Sequence, residues 1–238
     1  MWLDRKDRIL ASGLVYNALS MKDGTAGTVS TGQITELLTP FLDPDALTDS
    51  QLLAIKSYLN LLLKWNAKLN LTAIRNPREM VTRHFGESLF AARQLFPVGD
   101  SRDSVIDVGS GAGFPGLPIK LWSPQVELTL IESNQRKATF LRELIRALDL
   151  KSVSVVTERA GSVSFKASVV TLRAVEQFDR VLPAALGLVM PGGRIGLLIG
   201  EAQVGRARSL STEVHWQSPI EIPLSNSRRL LIGQKLKS

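Results

Sequence analysis

The sequence predicts an α/β fold: a Rossmann-like, mostly parallel seven-stranded sheet with an antiparallel last strand, preceded by a cap of helices. Three observations carry that expectation. A short apolar run, Val105-Ile106-Asp107-Val108, leads into glycines at 109, 111, 113 and 116 and then into an apolar segment opening with Pro118. Beyond it, apolar runs of strand length alternate with segments of helical period. The chain then closes with two extended pieces joined by a polar turn, which suits a terminal antiparallel pair.

Taken in order, residues 1–33 are expected to be a flexible extension, because Lys22 to Gln33 is rich in Gly, Thr and Ser and lacks an apolar period. Met21 precedes that stretch, so the first 20 residues read as dispensable, even as an upstream start-site extension. Residues 34–238 are expected to form a single domain, with a helical cap over 34–97 and the Rossmann-like core over 98–238. Asp49 to Leu69 is a helix: Leu52, Ile55, Leu59, Leu62 and Leu69 share a stripe, Tyr58 and Trp65 flank it, and Asp49 or Ser50 can cap it. A second helix starts at Asn76-Pro77-Arg78-Glu79, with Asn as N-cap, Pro first and Glu reaching back; Val81, Phe85, Leu89 and Ala92 form its buried face.

After the glycine turn, Val126–Ile131, Val153–Thr157, Ser168–Leu172 and Arg194–Ile199 read as strands. Gln135–Leu148 and Phe178–Val189 read as helices, and Pro191-Gly192-Gly193 as a turn. The last two extended pieces lie around Glu213–Ile222 and Arg229–Leu236.

Composition narrows the chemistry. The 238 residues contain no cysteine, which removes disulfides, thiolate metal sites and a Cys nucleophile, and suits a reducing cytoplasm. The two histidines, His84 and His215, are too few for a His-rich metal centre. No apolar run spans a membrane. A formal net charge of +7 favours an anionic partner, nucleic acid above all, although solubility alone also accounts for such a charge.

The glycines fit two patterns. From Gly111 they match G-x-G-x-x-G, a dinucleotide fingerprint. From Asp107 they match D-x-G-x-G-x-G, the turn of methyltransferases that bind S-adenosylmethionine, in which the acid braces the loop. Glu132, 23 residues past Gly109 at the end of the second strand, suits the hydroxyls of an adenosine ribose and serves either cofactor; Ser133 follows it. Ala160-Gly161 is small enough for an adenine ring to lie against its backbone. Arg173, ending the fourth strand, can grip a cofactor carboxylate or a substrate phosphate and base, or form a structural ion pair. The loop after it, Arg173-Ala174-Val175-Glu176, lacks the Asn/Asp-Pro-Pro-aromatic pattern of exocyclic adenine methylation. Guanine N7 carries a lone pair and no proton, so its methylation needs alignment rather than a base. Arg136, Lys137, Arg142, Arg146 and Lys151 offer phosphate contacts, and Arg83 and His84 are candidates for the cleft mouth.

These motifs together resemble one family. Lys64-Trp65-Asn66, Asn70-Leu71-Thr72-Ala73-Ile74, Arg83-His84-Phe85 with Ser88, the Asp107-to-Gly116 loop, Arg136 with Phe140-Leu141-Arg142, Arg159-Ala160, Arg173-Ala174 and Pro191-Gly192-Gly193-Arg194 occur in one order. Over about residues 50 to 200 the chain resembles the RsmG (GidB) family of bacterial 16S rRNA guanine-N7 methyltransferases. The resemblance implies a class I methyltransferase fold, S-adenosyl-L-methionine as cofactor, and a guanine in the decoding-region loop of 16S rRNA as target. Gly109, Gly111, Phe114, Glu132, Ser133, Ala160, Gly161 and Arg173 would bind the cofactor; Asn70, His84 and Arg136 would face the RNA. No residue is assigned a catalytic acid or base role, no metal is implied, and a cytoplasmic monomer acting on the small subunit is expected. One departure is Ile199-Gly200, where the family often has Lys-Gly; if that Lys helps to hold RNA, Arg194 is a candidate to share its role here. Glu132 stands where an Asp is frequent. A nicotinamide-dependent oxidoreductase and a non-catalytic RNA-binding protein with a vestigial pocket are the rival readings.

Overall fold

The computed structural model describes residues 29–99, 101–175 and 177–237. Most of the expected N-terminal extension, residues 1–28, lies outside them. Its last residues behave differently from the expectation. Ser30 caps helix α1 (Thr31–Leu42) through a reciprocal box: the Gln33 amide donates to the Ser30 hydroxyl at 3.2 Å, and the Ser30 amide donates to Gln33 Oε1 at 3.0 Å. A Ser/Gln pair three apart is a helix start even in a polar stretch. Ile34, Leu38, Phe41 and Leu42 then bury one face.

Helix α2 (Asp49–Leu69) has the predicted extent, but its cap is Thr48, paired with Gln51, rather than Asp49 or Ser50. It stops at Asn70, which adopts the left-handed conformation at φ 48°. Asn76 caps α3 (Pro77–Met80) as expected by accepting from the Arg78 and Glu79 amides. Glu79 does not reach back; its carboxylate lies 3.9 Å from Arg83. A π-helical stretch, Val81–Gly86, joins α3 to α4 (Glu87–Leu95). The wider π turn suits an apolar face spaced by four, and Val81, Phe85 and Leu89 are fully buried.

Strands β1 (Ser104–Val108), β2 (Glu127–Ile131), β3 (Val153–Val156), β4 (Ala167–Arg173) and β5 (Val189–Gly200) are parallel neighbours. Between them lie α5 (Gly116–Trp122), α6 (Gln135–Ala147) and α7 (Phe178–Gly187). Helix α5 opens at Gly116, so Pro118 sits inside its first turn. Pro191-Gly192-Gly193 is not a separate turn before β5; it lies within that strand, where the register against β4 shifts. Helix α8 (Glu201–Ser209), which the sequence pattern does not announce, follows β5.

The end of the chain is strand β8 (Arg228–Lys235), antiparallel to β5. Its other edge pairs with two short pieces, β6 (Val214–Trp216) and β7 (Ile220–Glu221). The order β3-β2-β1-β4-β5-β8-β6 thus fills the seven predicted positions, the outermost one split in two. Helices α1, α2, α4, α5 and α6 bury one continuous apolar cluster on one face of the sheet, and α7 and α8 cover the other. The strand order reverses between the parallel neighbours β1 and β4, so a crevice opens at their carboxyl ends, where ligands bind in such sheets. No helix among the described residues is long and apolar enough to cross a membrane.

Candidate active site

The glycine loop lies in that crevice. Gly109, Gly111 and Gly113 have φ of 68°, 56° and 94°, a conformation closed to most L side chains. Gly113 is also crowded, since a Cβ there would lie 2.5 Å from the Tyr58 hydroxyl. Gly111 is different: a Cβ would meet only the Gly109 carbonyl, at 3.8 Å, so its outer side is open. Asp107 braces the loop, in line with the sequence expectation. Its Oδ2 accepts from the Gly116 amide at 3.2 Å and its Oδ1 from the Thr171 hydroxyl at 2.9 Å. Burial pushes this carboxyl up to about 6, against the opposing pull of those donors and of Arg173.

Glu132 ends up against the loop. One carboxylate oxygen accepts from the Gly111 amide at 2.9 Å and the other from the Asn134 amide at 2.7 Å. The carboxylate therefore fixes both the glycine turn and the start of α6, and keeps lone pairs for further donors. Ser133 is exposed beside it. Ala160 and Gly161 form a short 3-10 turn after β3, with nothing near a Cβ on Gly161. Gly109, Glu132 with Ser133, and Ala160 with Gly161 follow the carboxyl ends of β1, β2 and β3 respectively.

Three site residues lie differently from expectation. Phe114 is buried, its ring turned into an aromatic stack between Tyr58 (centroids 5.1 Å apart) and His84 (4.9 Å), with Phe85 edge-on. Its ring packs the glycine loop against the cap. His84 is buried as well, so it does not stand at the cleft mouth. Its Nδ1 lies 3.2 Å from Arg173 and its Nε2 2.8 Å from the Thr72 hydroxyl. A guanidinium only donates, which makes Nδ1 the acceptor and places the ring proton on Nε2. Burial, then the charges of Arg173 and Arg83, lower His84 to about 3, so it is neutral. Arg173 is turned toward the cap: its second terminal nitrogen donates to the Arg83 carbonyl at 2.7 Å and to Glu87 at 3.2 Å. The structural ion pair, the blander of its two expected roles, is present.

The remaining assignments lie on the surface. Asn70 is exposed, with its side-chain oxygen accepting from Arg75. Arg136 is exposed in the first turn of α6. Ile199 is buried in β5, opposite Arg229. Arg194 cannot stand in for a cation there. It sits toward the amino end of β5, donating to the Leu95 carbonyl at 2.7 Å and pairing with Asp103 at 3.1 Å. Sequence reasoning missed Tyr58 as a site residue; its hydroxyl donates to the Ala112 carbonyl and its burial keeps it protonated. It also missed Glu87 and Arg228, which carry no motif, although Glu87 directly follows the Arg83-His84-Phe85 run and its glycine.

A family model described as rRNA small subunit methyltransferase G (GidB) matches residues 51–228. The chain belongs to this family. Among its members, the protein named ribosomal RNA small subunit methyltransferase G of Roseiflexus castenholzii is 41% identical over 185 residues, covering 72% of this chain and 78% of that one. The protein of the same name from Chloroflexus aggregans is 38% identical, covering 80% and 84%. The match favours neither an oxidoreductase nor a non-catalytic binder. Solved structures share the fold at low identity. Pyrococcus horikoshii TYW2 in complex with MeSAdo aligns with a TM-score of 0.54 at 19% identity, over 65% of this chain and 63% of that one. TrmN from Thermus thermophilus aligns at 0.53 and 17%, over 66% and 53%. The architecture is that of class I S-adenosylmethionine-dependent methyltransferases.

Proposed function

We propose that this protein transfers a methyl group from S-adenosylmethionine to N7 of a guanine in the decoding-region loop of 16S rRNA. The observation that carries the reading is membership of the small-subunit rRNA methyltransferase G family across residues that include the whole glycine loop. The crevice residues fit the cofactor. Gly111 leaves open space where a side chain would stand, and Glu132 beside it retains acceptor capacity for ribose hydroxyls. Ala160 and Gly161 would flank the adenine, with Ser133 and Gly109 on either side of Glu132; Asn70 and Arg136 would meet RNA. Bound there, the cofactor supplies an electrophilic sulfonium methyl.

The protein's share of the chemistry is alignment. Asp107 is fully buried and engaged by Gly116 and Thr171, and both ring nitrogens of His84 have partners. Neither is placed to take a proton from a substrate, and guanine N7 has none to give. Unpaired or distorted RNA is the expected substrate, because N7 in a regular A-form helix lies in a deep, narrow groove.

Incubation with labelled cofactor and undermethylated small subunits, followed by nucleoside mass analysis, should yield 7-methylguanosine. Another methylated nucleoside, or none from either naked rRNA or assembled subunits, rules the proposal out. Glu132→Gln should weaken S-adenosylhomocysteine binding about ten-fold or more, since a hydrogen bond to a charged group contributes roughly 1.5–3 kcal/mol. Unchanged affinity by calorimetry would remove Glu132 from the site. It is a cleaner probe than Gly111→Val, which forces a branched side chain into a positive-φ position and mixes backbone strain with any loss of binding.

A further inference from the structure

Three arginines converge on one carboxylate at the carboxyl edge of the sheet. Glu87, only 1% exposed, begins α4; Arg83 comes from the π turn before it, Arg173 from the end of β4, and Arg228 from the start of β8. Arg228 belongs to this edge because β8 runs antiparallel to β5 and pairs Arg228 with Gly200. Glu87 Oε1 lies 3.0 Å from Arg83 Nε and 2.6 Å from Arg228 Nε, while Oε2 lies 3.2 Å from a terminal nitrogen of Arg173. The one other carboxylate within 4 Å of any of these guanidinium groups among the described residues is Glu79, half-exposed and 3.9 Å from a terminal nitrogen of Arg83.

The way these arginines are held matters more than their number. Arg83 donates to Glu87 through Nε, the inner nitrogen of the guanidinium, and Arg228 sets its own buried Nε against the same carboxylate as an ion pair without hydrogen-bond geometry. That leaves the two terminal nitrogens of each, the fork that matches a phosphate, without a hydrogen-bond partner among the described residues. Nε of Arg228 is buried, yet the side chain as a whole is 25% exposed, and that of Arg83 is 39% exposed, so the exposed parts lie outward of the anchor. Positive charge also exceeds negative: three guanidinium groups face Glu87 and Glu79. A buried carboxylate used as a pedestal fixes two forks in advance, so an anion binding there orders little that is not already ordered.

We propose that Arg83 and Arg228, aimed by Glu87, form a phosphate-binding site that holds a backbone phosphodiester of the RNA beside the target nucleotide. The proposal rests on the functional reading above for the identity of the RNA. The chemistry of the site, two guanidinium forks for one oxyanion, does not. A cofactor carboxylate is the other anion that reaches this crevice, and the two sources separate by experiment.

The test is RNA affinity as a function of salt, measured by filter binding of the full-length protein to a small-subunit rRNA transcript, with S-adenosylhomocysteine affinity measured in parallel. Each phosphate contact adds about 0.7 to the slope of log K against log salt for single-stranded nucleic acid. Arg228→Gln and Arg83→Gln should each lower that slope by up to this amount, since they share one phosphate, and weaken RNA binding roughly ten-fold, with S-adenosylhomocysteine affinity unchanged. Should Arg228→Gln fail to fold, Arg83→Gln, in the more exposed side chain, carries the same test. Unchanged slopes and affinities overturn the proposal, as does a loss of S-adenosylhomocysteine binding with RNA binding intact, which would assign the site to the cofactor. Absence of methyl transfer to any RNA would defeat the functional reading alone, because the binding slopes do not depend on turnover.

Discussion

Glu87→Ala should lower the stability of the protein by about 3–5 kcal/mol, the range for removing one partner of a buried ion pair. The side chain is buried, and three guanidinium groups share its two oxygens. Arg173, with a side chain only 12% exposed, has the least access to water as a substitute for the carboxylate. Burial already lowers the basicity of Arg173, and the charge of Glu87 is the largest influence opposing that effect. Without the carboxylate, Arg83, Arg173 and Arg228 repel one another with no buried anion between them. For a domain of this size each kcal/mol lowers Tm by about 2–4 °C, so a fall of roughly 6–20 °C is expected. Glu87→Gln keeps the volume and one acceptor and should cost less than Glu87→Ala, yet more than a surface substitution. Calorimetric melts decide the matter. A change under about 1 kcal/mol for Glu87→Ala would mean that the arginines relax into solvent and that the carboxylate is not the hub.

That hub also explains what the sequence could and could not reveal. The glycine turn, its bracing acid and Glu132 are legible because each follows from local chemistry: positive φ demands glycine, and a strand-end acid has few alternative uses. Helix α2 is legible through its apolar stripe, and the antiparallel pairing of β8 with the short pieces before it through the polar break at Ser225–Ser227. Helix α1 is hidden because Ser30 and Gln33 sit in a run of Gly, Thr and Ser that imitates a linker. Helix α8 has little amphipathic pattern; it buries only Val204 and Ala207, and no periodicity announces it. At the site, Arg173 is legible as a functional position but its direction is not. Its partners Arg83, His84 and Glu87 precede it by 86 to 90 residues, and pairings at that separation depend on how the cap packs. The aromatic stack around Phe114 is hidden for the same reason: only the tertiary fold brings Tyr58 and His84 against its ring.

The second large effect concerns pH, and its sign follows from two buried groups displaced in opposite directions. His84 is lowered from 6.5 to about 3 by burial and by Arg173 and Arg83. The unfolded chain takes up this proton below pH 6.5 while the folded chain refuses it, so His84 contributes stability that is present above 6.5 and lost as pH falls toward 3. Asp107 is raised from 3.8 to about 6, chiefly by burial. The folded chain keeps that proton longer, so its contribution is present below 3.8 and lost as pH rises through 6. Displacements of these sizes correspond to roughly 5 kcal/mol for the histidine and roughly 3 kcal/mol for the aspartate, at about 1.36 kcal/mol per pH unit. Between about pH 4 and 6 the two slopes oppose each other, and their joint effect on the wild-type protein is nearly flat. His84→Gln removes one arm and leaves Asp107 unopposed. Relative to wild type, the variant should therefore gain about 3 kcal/mol on acidification from pH 6 to pH 4. Urea titrations of both proteins at pH 4, 5, 6 and 7 measure this difference, in which carboxylates common to both, Asp103 and Asp179 included, cancel. Parallel pH profiles would show that the imidazole takes its proton inside the folded protein, and the hydrogen bond it accepts from Arg173 would have to be abandoned.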